Sequence, residues 1–216
     1  MYYLIPSSES KVEQGFPGNI QDDGLLKARL DIAENLYKSN AINISINHTK
    51  YHAINKSIIL SNNLLPAWQR YNGVVYKYLK LSPEHPLSNI LICSPFMGLV
   101  SAEKLVPNYK LGFDSKIDGI GKLSNFWNKN LSAHTVLKQP ETFVDLLTKN
   151  QRKIIPYPLG STVYFVDFIN KDKNLIGHLG KETKGKFLRK LLDESDKINF
   201  LDSYQESNVK ITVYNT

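Results

Sequence analysis

Cysteine is nearly absent from this chain: one residue, Cys93, in 216. A single thiol excludes an internal disulfide framework, and its rarity suits a reducing cytoplasm. Cys93 sits in the apolar run Ile90-Leu91-Ile92-Cys93, where a small buried hydrophobe is the expected role. No apolar stretch approaches the roughly 18–20 residues of a membrane span. The N-terminus has neither the basic flank nor the small-residue cleavage site of a secretory signal. A cytoplasmic protein with no membrane partner is the expectation. Acidic residues are outnumbered, with 20 Asp and Glu against 27 Lys and Arg and a net charge of +7. A fixed positive potential attracts polyanions, which brings nucleic acid into consideration.

What is present is ordinary globular composition, 42% hydrophobic and 22% charged, enough for a real core. Residues 2–5 read as a short strand stopped by Pro6. Residues 24–37 place Leu25, Leu26, Leu30, Ala33 and Leu36 at helical spacing, and residues 51–60 suggest another helix. Pro66 suits a helix start, and Trp68, Tyr71, Val75 and Leu79 then line one face of a continuous helix. Strands are expected at 89–93, 161–169 and 209–214, and helices at 122–131 and 183–193. Residues 142–147 fit either a short strand or a helical turn. The fold class is α/β, of mixed α+β character: one domain over 1–216, with a mixed sheet flanked by helices.

Four polar stretches stand out. The first, Pro6-Ser7-Ser8-Glu9-Ser10-Lys11, follows a strand, where the loops of an α/β sheet commonly hold ligands. Its hydroxyls and Lys11 suit an anion, and Glu9 is a candidate base; a plain surface turn has the same composition. The second is Arg70-Tyr71-Asn72-Gly73-Val74-Val75-Tyr76. A glycine inside a helix costs about 1 kcal/mol relative to alanine, so close packing or a ligand is expected there. The third, residues 94–112, reads as a long connection carrying Tyr109 and Lys110. The fourth belongs to the basic run Lys171–Lys190, which has seven basic and two acidic residues. Gly180-Lys181-Glu182-Thr183-Lys184-Gly185-Lys186 approaches a P-loop, but Phe187 occupies the hydroxyl position that would bind magnesium. Nucleoside triphosphate hydrolysis is therefore not expected.

Histidine and nucleophile searches yield little. His48 and His52 share the i, i+4 spacing of a metal pair, but Thr49, Lys50 and Tyr51 between them supply no carboxylate. No metal and no cofactor is called for.

Taken in order, the motifs resemble the YaaA-type peroxide-stress proteins, in the branch opening with a PxSExK-like segment. The residues are Pro6 to Lys11, then RYxGxxY at Arg70 to Tyr76. An FGLVxAxxxxPxYxL pattern runs from Phe96 to Leu111 with Met97 inserted. An aromatic helix segment includes Phe126-Trp127, and KxxKGxxxR falls on Lys181, Lys184, Gly185 and Arg189. The resemblance spans residues 2 to about 192. It implies a single mixed α/β domain with a positively charged cleft and a part in limiting iron-driven oxidative damage. One branch of that family binds DNA through a helix-hairpin-helix element. By position, Ser8, Lys11, Arg70, Tyr76, Tyr109, Lys181, Lys184 and Arg189 are expected to bind the ligand or DNA, with Glu9 and Lys11 the catalytic candidates. Two departures, Gln14-Gly15 where a glycine pair is usual and Gly180 where an asparagine is usual, fall inside that expected site.

Two functions follow. One is a stress factor whose basic cleft holds DNA phosphates with little sequence preference. The other is an enzyme-like pocket for a phosphate- or carboxylate-bearing small molecule, in which Lys11, Arg70 and Lys181 hold the anion.

Overall fold

The computed structural model describes residues 1–38, 63–169 and 180–216. The expected helix at 51–60, the His48 and His52 pair, and residues 171–179 of the basic run lie outside them. In chain order the elements begin with β1 (Tyr2–Pro6), α1 (Leu26–Lys38), β2 (Leu64–Pro66), α2 (Ala67–Arg70) and α3 (Val74–Leu79). Then come β3 (Ile90–Ser94), β4 (Gly98–Ser101), β5 (Leu105–Pro107), β6 (Lys116–Ile117), β7 (Gly121–Lys122) and α4 (Leu123–Asn130). Last are β8 (Thr142–Asp145), α5 (Lys149–Arg152), β9 (Thr162–Phe168), α6 (Gly180–Asp193), α7 (Lys197–Ser203) and β10 (Val209–Asn215).

Six strands form one mixed sheet in the order β10-β9-β8-β1-β3-β4. Strands β9, β8, β1 and β3 run parallel, and β10 and β4 close the two edges antiparallel. Every residue of β3 is buried, as a near-continuous apolar run in a strand covered on both faces should be. The chain leaves β1 toward β3 on one side, then crosses back to β8 and β9 on the other. The connections after β1 and β8 therefore diverge, and a crevice at their carboxyl ends is where such sheets hold ligands.

The core joins these strands to α1, α3, α4 and α6 in one cluster, with Trp127 fully buried. Among the described residues no helix is long and apolar enough to cross a membrane. The motif tryptophan has a packing role, its Nε1–H donating to the Pro95 carbonyl at 2.8 Å. A buried polar clamp closes the other end of α1. Asp23 accepts from Arg29 at 2.8 Å and lies 3.3 Å from His134 Nε2. The His134 Nδ1 accepts from Val136 N–H, so both ring nitrogens are already engaged.

Two expectations need correction. Residues 67–79 do not form one helix: Tyr71 is extended and Gly73 stands at the N-cap of α3 rather than in a helix interior. Backbone bonds from Val12 N–H to Arg70 O and Asn72 N–H to Ser10 O capture this segment for the loop after β1, which overrides the helical pattern. Residues 94–112 are likewise not an open connection. They contain β4, a hairpin partner of β3, and β5, which pairs with β2. Their alternation is too short, and too interrupted by Pro95 and Pro107, to register as strands. The helix α7 carried no periodic signal strong enough to be expected.

Candidate functional site

The polar centre is built at the carboxyl ends of β1, β3 and β8. Ser7 N–H donates to the Cys93 carbonyl at 2.9 Å, which keeps the loop after β1 alongside β3. Lys11 forms an isolated antiparallel bridge with Tyr71, and this pairing turns its side chain inward. Gly73 admits the loop, since a Cβ there would collide with the Ser8 hydroxyl. Ser8 Oγ itself donates to the Ser10 carbonyl at 2.7 Å.

Lys11 is 7% exposed. Its ammonium donates to the Ser8 carbonyl at 2.8 Å and lies 3.9 Å from the centre of the Tyr109 ring. Burial, reinforced by the Lys110 and Arg70 cations and opposed by Glu9, pulls its pKa from an ordinary 10.5 down to about 7. Under that amine runs a line of hydroxyls. Tyr109 OH is 2.8 Å from Tyr71 OH and 2.7 Å from Ser94 Oγ, and Ser94 also accepts from Met97 N–H. Burial raises the Tyr109 phenol to about 12 and lifts Tyr71 and Tyr76 above their ordinary range. These groups are neutral donors and acceptors at neutral pH, not phenolates.

Across the switch point, α3 and α6 reach over the strand ends. Gly185 allows it: a Cβ there would strike the Val75 carbonyl oxygen, so only glycine lets the two helices touch. Tyr76 from α3 donates to the Pro6 carbonyl at 2.9 Å, and Lys184 from α6 donates to the Leu146 carbonyl. Burial, partly offset by Asp145, lowers the Lys184 pKa to about 8. Beside it, fully buried Asp145 ends β8, bonded by Leu147 N–H and the Tyr157 hydroxyl and 3.3 Å from Arg152 Nε. Burial raises the Asp145 pKa despite the Arg152 charge. Arg152 also binds Asp167 at 2.7 Å.

The expected site residues thus divide. Lys11, Tyr76 and Tyr109 come together at the strand ends with Ser8 beside them, and Lys184 joins across β8. Arg70 is fully buried, its guanidinium donating to the carbonyls of Val12, Gln14, Asn63 and Val106. Every nitrogen of that side chain is occupied by backbone, which ties the β1 loop to β5. Arg189 donates to the Lys80 carbonyl at 3.1 Å and pairs with Asp193, so it caps α3. Lys181 stands one turn before Lys184 and is partly exposed, and Glu9 is exposed at the rim. The Glu9 carbonyl accepts from Lys110 at 3.0 Å.

Ser94, Asp145, Arg152 and Tyr157 are not singled out as site residues by the sequence, and Tyr71 reads there as a core-facing helical residue. The available signal was positional, a polar residue at the end of an apolar strand run, as in Ile92-Cys93-Ser94 and Phe143-Val144-Asp145. Among the described residues no three His, Cys, Asp or Glu side chains gather as a metal group.

The profile of the family described as peroxide stress protein YaaA matches residues 22–209. A UPF0246 protein of Streptococcus uberis is 26% identical over 133 residues, covering 57% of this chain and 54% of that protein. The chain spans about half the length of the curated relative it matches.

Proposed function

The chain belongs to the peroxide stress protein YaaA family, and from that premise we propose that it serves in peroxide stress through a small-anion site at the ends of β1, β3 and β8. The observation that carries this reading is Lys11. It is a buried amine with one carbonyl and the rings of Tyr109 and Tyr71 as partners and, among the described residues, no ion-paired carboxylate. A buried cation without a countercharge is costly. A phosphate- or carboxylate-bearing molecule would supply that charge, and the Ser94, Tyr109 and Tyr71 hydroxyls would orient its oxygens. Lys184 would add positive potential from the far side of the switch point. With Lys11 near its midpoint at neutral pH, the same amine could exchange a proton with the bound molecule.

A second reading, DNA held by a basic cleft, is favoured by the net charge of +7. The basic residues of α6 give it less support, because Lys186, Arg189 and Lys190 each already meet a carboxylate, from Glu182, Asp193 and Glu206. Lys11 and Tyr109 lie too deep for a duplex backbone.

Thermal shift and calorimetry with inorganic phosphate, pyrophosphate and a nucleoside monophosphate test the first reading on wild type, Lys11→Met and Glu9→Gln. Wild type is expected to bind at least one of these anions, and Lys11→Met to lose at least tenfold in affinity. An unchanged response in Lys11→Met sinks the anion site. In parallel, duplex binding across a salt series tests the DNA reading with the Lys181→Ala, Lys184→Ala double variant. A steep salt dependence that the double variant flattens supports it.

A further inference from the structure

Strand β10 forms an edge of the sheet and, among the described residues, carries little of the usual protection. It pairs with β9 over all seven residues without a bulge, from Val209 opposite Phe168 to Asn215 opposite Thr162. It contains no proline and a single charge, Lys210. It exposes Val213 at 48% and Tyr214 at 55%. Edges of this kind normally carry a proline, a bulge or several charges, because their free amides and carbonyls template another strand. Among the described residues nothing pairs with its outer side.

The direction of the free groups follows from the ladder. Ile169 N–H donates to the Asn208 carbonyl and Thr216 N–H to the Ser161 carbonyl. Even-numbered residues of β10 therefore turn their backbone groups toward β9, and Ile211, Val213 and Asn215 turn theirs outward. Val209 also faces outward, but its N–H is taken by the Glu206 carbonyl.

We infer that β10 is a homodimer interface, pairing antiparallel with β10 of a second copy about a two-fold axis at Thr212. In this register Ile211 and Val213 of one copy exchange backbone bonds with Val213 and Ile211 of the other, all four being outward-facing residues. On one face of the sheet the pairing sets isoleucine beside valine twice. On the other it sets Lys210 beside Tyr214 twice, an ammonium against an exposed aromatic ring. Tyr214 already leans on Phe165, ring centres 6.2 Å apart, so that ring is presented rather than loose. No like charges oppose each other at any position, and like charges opposed across a ladder are what ordinarily forbid self-pairing. The interface is isologous, as a two-fold dimer requires, and continues the sheet from one copy into the next.

Sedimentation over a concentration series tests this, alongside two variants at the exposed Thr212. Wild type is expected to associate to a dimer. Thr212→Lys places two ammonium groups on the axis and is expected to weaken association at least tenfold, with a melting temperature equal to that of wild type at concentrations where both are monomeric. Thr212→Cys is expected to cross-link under mild oxidation, because the two copies of residue 212 face each other. Tyr214→Cys is expected not to, since its copies stand ~13 Å apart along the strands at the usual rise per residue. The buried Cys93 stays out of both reactions. A wild type that remains monomeric at its highest soluble concentration overturns the inference. So does a dimer that survives Thr212→Lys, or cross-linking no greater at 212 than at 214.

Discussion

Replacing Lys11 by methionine should make the protein more stable, which is the reverse of what removing a buried hydrogen-bonded residue usually does. Lowering a lysine from an ordinary 10.5 to about 7 corresponds to about 5 kcal/mol between its two protonation states. At pH 7 the unfolded lysine is fully charged and the folded one about half charged. Folding therefore carries of order 4 kcal/mol of unfavourable free energy at this position. Methionine has a similar shape and no charge. It gives up the bond to the Ser8 carbonyl and the contact with the Tyr109 ring, together about 1–3 kcal/mol. The balance is a gain of about 1–3 kcal/mol at pH 7. The sign with pH is fixed by the lowered folded pKa. The unfolded state binds more protons between about 7 and 10.5, so wild-type stability rises with pH across that window while Lys11→Met lacks this rise. Urea unfolding of both proteins from pH 6 to pH 10 measures the difference. The gap should be widest at and below pH 7 and should shrink toward pH 10. A less stable Lys11→Met at pH 7, or a gap that does not narrow, would refute the reasoning that this amine is held at an energetic cost for a ligand.

The same titration governs binding: an anion at Lys11 favours the ammonium, so apparent phosphate affinity should fall as pH rises above 7, read by calorimetry at three pH values. Asp23 behaves oppositely. Burial alone would raise its pKa, but hydrogen bonds from His134 and Arg29 outweigh that and hold it at about 2. Its contribution is present above about pH 4 and disappears as the pH falls toward 2. Asp23→Asn, which leaves the buried Arg29 uncompensated, should cost about 2–4 kcal/mol at neutral pH in urea unfolding and less at pH 3. Gly185→Ala forces α6 away from the Val75 carbonyl and should destabilise by about 1–3 kcal/mol. It should also blunt any anion-dependent rise in melting temperature, because it displaces Lys184. Cys93 is fully buried with a strongly raised thiol pKa. A thiol reagent should therefore leave it unmodified in the native protein and label it on unfolding, and rapid labelling of the folded chain would contradict its placement.

Much of the fold was legible because local patterns are strong where burial is complete. The apolar runs of β1, β3 and β9 and the helical spacing of α1 and α6 each report one element's own environment. The same reading failed at residues 67–79, where helical periodicity continues past Tyr71 but the backbone of Ser10 and Val12 claims the chain. Arg70 has the character of an anion ligand in sequence, and in the structure its guanidinium donates to four backbone carbonyls. Hydrogen bonds to partners such as Val12 and Gln14, 58 and 56 residues away, leave no trace in a local pattern.

By itself the sequence determined that the chain folds as a mixed α/β protein, and it marked Ser8, Lys11, Arg70, Tyr76, Tyr109, Lys181, Lys184 and Arg189 as polar positions in separate stretches without saying which of them lie together. Only the tertiary structure decided which of these residues meet, because strand order is set by how the sheet packs and not by any local run of residues. It brought Ser94 and Asp145 to the carboxyl ends of the central strands, engaged Arg70 with backbone carbonyls and Arg189 with the Lys80 carbonyl and Asp193, and withdrew Lys11 from water. That withdrawal, imposed by the Tyr71 and Tyr109 rings from two distant segments together with the Ser8 carbonyl of its own loop, is what lowers the pKa of an ordinary surface-type residue to about 7.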